Sequence, residues 1–200
     1  MLSVLVLISG SGSNLLALLK AAENPLYPVK IVAVGSDKDA PGLEHAELFG
    51  VDTFIVEPGR FSDKDQWAKT LLANVLHHQP DLVVLAGFMR ILPEGFVKAL
   101  EGKLINTHPS LLPDFRGAHA VRDALQAGAT KTGVTIHYVD AGVDTGPIIV
   151  QRELSIAPGE SEEALRERIK EIERALLVET VEKFALGEQI RKAEELHVSS

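Results

Sequence analysis

Short apolar runs alternate with stretches whose apolar residues recur at helical spacing, and that rhythm organises the chain. Residues 2–8 are β-rich and apolar, as suits a strand buried on both faces. Leu15, Leu16, Leu18 and Leu19 then mark a helix that stops near Asn24-Pro25. A second strand is expected over 29–34, a short helix within 42–50 ended by Gly50, and a third strand over 51–56. Ser62 with Asp65 three residues on resembles a capping box. The helix it opens carries Trp67, Leu71, Val75 and Leu76 and must end before Pro80. A fourth strand is expected over 81–86, and a helix over 93–100 with proline at its start. The fifth strand opens the stretch 104–113 and is stopped by Pro109, which cannot donate a ladder hydrogen bond. A helix over 118–127 follows. Residues 132–139 alternate apolar and polar, which predicts a half-buried or edge strand, and they form a hairpin with a strand over 146–153. In the last helix Leu165, Ile169, Ile172 and Leu176 share one face, with Glu162 and Glu163 in the positive first turn. The charged tail past Gly187 reads as frayed or as a short edge strand.

Strands and helices alternating at this spacing argue for the α/β class. The expected fold is a doubly wound, mostly parallel sheet with helices on both faces, Rossmann-like in its N-terminal half. No repeat, linker or composition break divides the chain, so residues 1–200 are expected to form a single domain. The absence of cysteine excludes disulfides, thiolate metal sites and a cysteine nucleophile. The formal charge of −8 comes without a local basic patch and argues against nucleic acid and anionic membranes as partners. Residues 1–8 lack a basic leader, and no apolar run approaches membrane-spanning length. A cytoplasmic protein acting on small molecules is expected.

Candidate chemistry collects at predicted strand ends. After strand one comes Ser9-Gly10-Ser11-Gly12-Ser13-Asn14, opening a helix. Backbone N–H groups there suit an anion such as a phosphomonoester. Leu15 stands where the dinucleotide fingerprint needs glycine, and no P-loop lysine follows. The competing reading is a plain strand-to-helix turn capped by Asn14. On strand five, Asn106 and His108 point the same way, with Cα atoms about 6.6 Å apart. Asp144 lies between Gly142 and Gly146 in the loop that follows the next strand. If that loop folds back, Asp144 pairs with His108, raising the imidazole pKa and fixing its orientation, while Asn106 offers an N–H to a developing oxyanion. The bland alternative is a turn aspartate bonded to its own backbone. Residues 87–92 also follow a strand and offer either a wall for a flat heteroaromatic ligand or a packed connection. His137 reads as structural, His77 and His78 as solvated, and Lys170 with Glu173 as an ordinary surface ion pair.

Residues 8–15, 84–92, 105–113 and 139–147, in that order, make the chain similar to the folate-dependent formyltransferases, and within them to the phosphoribosylglycinamide formyltransferase branch. The likeness runs roughly from Leu2 to Phe184. It implies transfer of a formyl group from 10-formyltetrahydrofolate, a co-substrate, to the amine of 5′-phosphoribosylglycinamide in purine biosynthesis. The alternative within the superfamily is hydrolysis of the same folate. The resemblance implies catalytic roles for Asn106, His108 and Asp144. It implies ribonucleotide contacts from Gly12, Ser13, Asn14, Lys170 and Glu173. Folate contacts would come from Lys64, Met89, Arg90, Ile91, Leu92, Asn106, Asp140, Ala141, Gly142, Val143 and Asp144. It divides the domain into a phosphate-binding half at about 1–100 and a folate and catalytic half at about 101–187. No metal is implied, and a monomer or homodimer is expected. Lys64 stands where many relatives carry arginine, which keeps charge but loses bidentate carboxylate geometry. Arg116 replaces a frequent proline, and Arg174 a usual histidine. Methionyl-tRNA formyltransferase shares the Asn-x-His motif but adds a C-terminal domain, and the deformylase adds an N-terminal one. This chain is expected to have neither. A third class, a nucleotide-phosphate sensor built on residues 10–14, gives Asn106, His108 and Asp144 no task.

Overall fold

The computed structural model describes residues 1–188, so most of the charged tail lies outside the described residues. Seven strands form one sheet: β1 (Leu2–Ile8), β2 (Val29–Ser36), β3 (Asp52–Ile55), β4 (Leu82–Leu85), β5 (Leu104–His108), β6 (Lys131–Tyr138) and β7 (Ile148–Ser155). Their order is β3-β2-β1-β4-β5-β6-β7. β1 to β5 are parallel, whereas β6 runs antiparallel to β5 and β7 antiparallel to β6. The helices are α1 (Ser13–Ala22), α2 (Leu43–Leu48), α3 (Lys64–His77), α4 (Glu94–Ala99), α5 (Ala120–Gln126) and α6 (Glu162–Leu186). Expected and observed boundaries agree within a residue or two.

Side-chain alternation along β1 separates two cores, as the period of a strand requires. Val4, Val6 and Ile8 pack with Leu15 and Leu18 of α1 and Leu165, Ile169 and Leu176 of α6. Leu5 and Leu7 pack on the opposite face with Trp67 and Leu71 of α3 and Phe96 of α4. All five strand residues are fully buried, which is why this strand reads as a continuous apolar run rather than an alternating one.

Three sequence expectations need correction. The cap of α3 is Asp63, whose carboxylate accepts the Gln66 N–H at 2.8 Å, while Ser62 donates its hydroxyl to Asp63. β6 is neither an edge nor half exposed: it lies between β5 and β7, and Thr132, Thr135 and His137 are buried. Its polar positions serve internal bonds, as where Thr135 donates to the Ser110 carbonyl at 2.7 Å and accepts from the Leu112 N–H at 3.0 Å. Lys170 pairs with Glu167 at 2.7 Å, while Glu173 turns inward to accept the Thr107 hydroxyl at 3.0 Å. Helices α3 and α4 cover their face of the sheet only as far as Leu104 on β5. Beyond it, loops rather than a helix cover β5 and β6, and that gap holds the site.

Candidate active site

Leu104, Asn106 and His108 alternate onto the α3/α4 face of β5, and Thr107 onto the α1/α6 face. In the antiparallel ladder Asn106 stands opposite His137, so both side chains share a face. The Asn106 amide nitrogen lies 3.2 Å from His137 Nε2, and His137 Nδ1 lies 2.8 Å from the Tyr138 carbonyl. A carbonyl only accepts, so Nδ1 carries the proton and Nε2 accepts from Asn106 in the neutral ring. The loop between β6 and β7 then folds back over these strands. Asp144 Oδ2 comes within 3.4 Å of His108 Nδ1, and Oδ1 within 3.6 Å of His137 Nε2. The folding back depends on Gly146, where a Cβ would meet the Tyr138 carbonyl oxygen at 1.8 Å. Asp140 tightens the same loop by accepting the Gly142 N–H at 3.0 Å and the Thr145 hydroxyl at 2.6 Å.

Backbone strain concentrates on His108. Among the described residues, the non-glycine positions with positive φ are Gln79, Phe115 and Asp144. Two of them touch this imidazole: Asp144 at Nδ1, and Phe115 through its carbonyl, 2.9 Å from Nε2. Such conformations cost about 1–3 kcal/mol each and persist where the surroundings over-determine them, often at working sites.

Asp144 keeps its charge. Burial alone would raise its pKa, but its contact with His137, the Gly117 N–H that it accepts and its interaction with His108 outweigh burial and bring it down to about 2. His108 behaves otherwise than expected. Its burial outweighs the Phe115 carbonyl and the Asp144 carboxylate, and its pKa falls below the ordinary value. The ring is therefore neutral near neutral pH, with its proton on Nε2 facing Phe115 and its Nδ1 lone pair facing an anion. Taking a second proton would convert that lone pair into an N–H···carboxylate contact. Such an imidazole can receive a proton and have the resulting charge stabilised at once.

A cavity of about 510 Å³ opens over this group. Leu85 and Phe88 to Leu92 line one side, Asn106, His108 and His137 the floor, and Asp140, Gly142, Val143 and Asp144 the other side. Met89, Ile91 and Val143 are large apolar side chains left exposed there. An apolar rim around a few convergent polar groups, at this size, suits a drug-sized flat ligand. Two of the residues attributed to folate by resemblance are not among those lining the cavity: Ala141, within the loop, and Lys64, exposed in the first turn of α3.

The glycine-rich loop lies at the carboxyl end of β1. Gly12 caps α1 in the left-handed conformation at φ 69°, and no side chain caps the helix. A Cβ on Gly12 would sit 2.9 Å from the Gly42 Cα, so the two loops meet at backbone contact. The uncapped N–H groups of α1 remain for an anion. Asn14 is buried, with its Oδ1 unpartnered. Thr107 donates its hydroxyl to Glu173, Asn14 lies close to the same carboxyl, and burial pushes the Glu173 pKa up. Glu173 thus joins the loop to the strand that carries Asn106 and His108. His137 is the member of the group that sequence reasoning passed over. Its signal was a polar residue inside a strand, opposite Asn106, and it became readable only with the register of β5 and β6. Among the described residues no group of three or more His, Asp or Glu side chains is placed to hold a metal ion, and no helix is long and apolar enough to cross a membrane.

Comparison with known proteins gives one consistent result. Residues 2–181 match the formyl transferase family. The chain is 47% identical over 182 residues to a phosphoribosylglycinamide formyltransferase of Mycobacterium tuberculosis, covering 91% of this chain and 84% of that one. It is 38% identical over 187 residues to the Escherichia coli protein of the same name, covering 93% and 88%. The crystal structure of glycinamide ribonucleotide transformylase 1 from Symbiobacterium toebii superposes with a TM-score of 0.90 at 39% identity, covering 94% of this chain and 89% of that one.

Proposed function

This chain belongs to the formyl transferase family, and on that premise we propose how it transfers a formyl group to the amine of 5′-phosphoribosylglycinamide in purine biosynthesis. Relatives named for that transfer favour it over hydrolysis of the folate. The donor is 10-formyltetrahydrofolate, and the observation that supports a site for it is the cavity itself: apolar at the rim, polar at the floor, with Asp144 3.4 Å from His108 at its inner end. Met89, Arg90, Ile91, Leu92, Asp140, Gly142 and Val143 would enclose the pterin, with Ala141 in the same loop and Lys64 outside the cavity lining. Gly12, Ser13 and Asn14 would hold the ribonucleotide phosphate at the start of α1, with Lys170 and Glu173 beside it.

When bound, the donor supplies an electrophilic formyl carbon. Asn106 would donate its free amide N–H to the formyl oxygen as negative charge develops there. His108 would accept the proton that the attacking amine must lose, and later release it toward the leaving nitrogen. Asp144 would stabilise the imidazolium between those two transfers. In the resting ring Nε2 carries the proton and is bonded to the Phe115 carbonyl, so segment 110–117 would shift and the ring proton would move to Nδ1, beside Asp144, before Nε2 accepts from the amine. The reading places the reaction in the cytoplasm, on small-molecule substrates, with the chain working as a monomer or homodimer.

The test is to incubate the protein with 10-formyltetrahydrofolate, with and without the ribonucleotide, while following free tetrahydrofolate and formate. Folate consumption that needs the ribonucleotide, one formylated product for each folate consumed, is the expected result. Rapid formate release without the acceptor would establish the hydrolase instead.

A further inference from the structure

One buried acid outside the catalytic group is tied directly to the cavity wall. Asp37 follows β2 and is 2% exposed. Its Oδ2 meets Arg90 Nε at 2.5 Å, and its Oδ1 is buried without a partner among the described residues. One N–H of one guanidinium therefore compensates a carboxylate removed from water, which leaves Asp37 dependent on Arg90. The dependence is unequal, because the Arg90 side chain is 47% exposed and lines the cavity. Its bond to Asp37 uses Nε, and neither terminal nitrogen has a hydrogen-bond partner among the described residues.

The placement suggests a purpose. β2 and β4 flank β1 in the sheet, so the pair bridges two strand ends across a third. A second tie runs alongside it: the Met89 N–H donates to Ser9 Oγ at 2.8 Å, and the Ser9 N–H to the Gly87 carbonyl at 3.2 Å. Packing holds this segment weakly at its middle, since Met89 is 71% and Ile91 61% exposed. Polar anchors must then supply the rigidity that apolar contacts do not.

We propose that Asp37 is a positioning residue for the donor side of the reaction: through Arg90 it holds segment 87–92 in place, so that this wall of the cavity stands formed before the ligand arrives and the terminal nitrogens of Arg90 stay free for it. Preorganisation of this kind improves affinity by removing an ordering cost from binding. The inference rests on the cavity being the site of the formyl donor.

Steady-state kinetics of Asp37→Ala and Asp37→Asn, with each substrate varied in turn, test it. The KM for 10-formyltetrahydrofolate should rise about tenfold in Asp37→Ala and less in Asp37→Asn, which keeps an acceptor, while kcat and the ribonucleotide KM stay within about twofold. Adding Asp37→Ala to an Arg90→Ala background should change the donor KM no further, because the two act as one unit. Melting supplies a readout that needs no substrate. Arg90→Ala strands a buried carboxylate, so the double variant Asp37→Asn/Arg90→Ala should melt higher than Arg90→Ala alone. A folded Asp37→Ala protein with an unchanged donor KM, or with both KM values raised alike, overturns the proposal, as does a double variant that melts below Arg90→Ala. A wild-type protein inactive in the transfer assay would instead overturn the donor reading, with the melting comparison still judging the pair.

Discussion

Asn106 and His108 leave one face of β5, and Thr107 leaves the other, so a single short strand serves two regions built on different principles. On the first face lie side chains: two imidazoles around one carboxylate, buried, with strained backbone at both contacts of His108. On the second lies backbone: a glycine turn and the open end of α1, linked to the strand by Glu173. Side chains can be tuned by burial, as the opposite fates of a persistently charged Asp144 and an easily neutral His108 demonstrate. Backbone N–H groups cannot titrate, and they hold an anion at any pH. The difference teaches a division of labour. On the proposed reading, proton chemistry uses side chains whose pKa the environment can shift, and recognition of the phosphate uses backbone donors that do not titrate.

Substitutions on the two faces should therefore fail in different ways. His108→Ala should lower kcat by about 10²–10⁴ while both KM values and the circular dichroism spectrum hold, since proton handling is worth that much. A turnover close to wild type would remove His108 from the mechanism. Gly12→Ala should act on the other parameter. The added Cβ meets the Gly42 Cα at 2.9 Å in a left-handed conformation, so the turn must open. The KM for the ribonucleotide should then rise roughly ten- to a hundredfold, with the folate KM nearly unchanged and stability lower by about 1–3 kcal/mol. An equal rise in both KM values would mean that the two regions are not separate.

The smallest effect separates the regions by pH. The folded pKa of Asp144 is about 2, below its ordinary value of 3.8. The unfolded chain therefore binds the proton more readily, and the group adds stability above pH 3.8 that disappears as pH falls toward 2. The contribution is about 2 kcal/mol at neutral pH. Denaturant melts of wild type and Asp144→Asn at pH 7, 4 and 2 should show the gap between them narrowing over that window. A gap that stays constant from pH 7 to pH 2 would show that the carboxylate gains nothing from its partners. Glu173 carries the opposite sign: burial raises its pKa, so its ionised form costs stability at neutral pH, the reverse of Asp144.

Much of this architecture was legible because it follows from local rules. The apolar runs of residues 2–8 and 81–86 could be stable only as strands covered on both faces, and the intervening amphipathic stretches supplied the covering helices. Asn106 and His108 were bound to share a face once the strand was recognised, and the glycines around residue 144 marked a loop able to fold tightly. Local rules also misled where two neighbours competed for one role, as Ser62 and Asp63 did for the cap of α3. They misled again where a polar residue read as solvent-facing was in fact bonded inside, as in β6.

The amino-acid sequence alone determined the strands, the helices, the face on which Asn106 and His108 stand and the turn that opens α1, because each depends on residues a few positions apart. The tertiary structure alone decided that Asp144 lies between His108 and His137, that Glu173 leaves Lys170 for Thr107, and that Asp37 finds Arg90. Except for Asp144 and His137, those contacts join residues tens of positions apart. Their formation depends on strand register and on how much water the packed chain excludes, and neither quantity is a property of any local stretch.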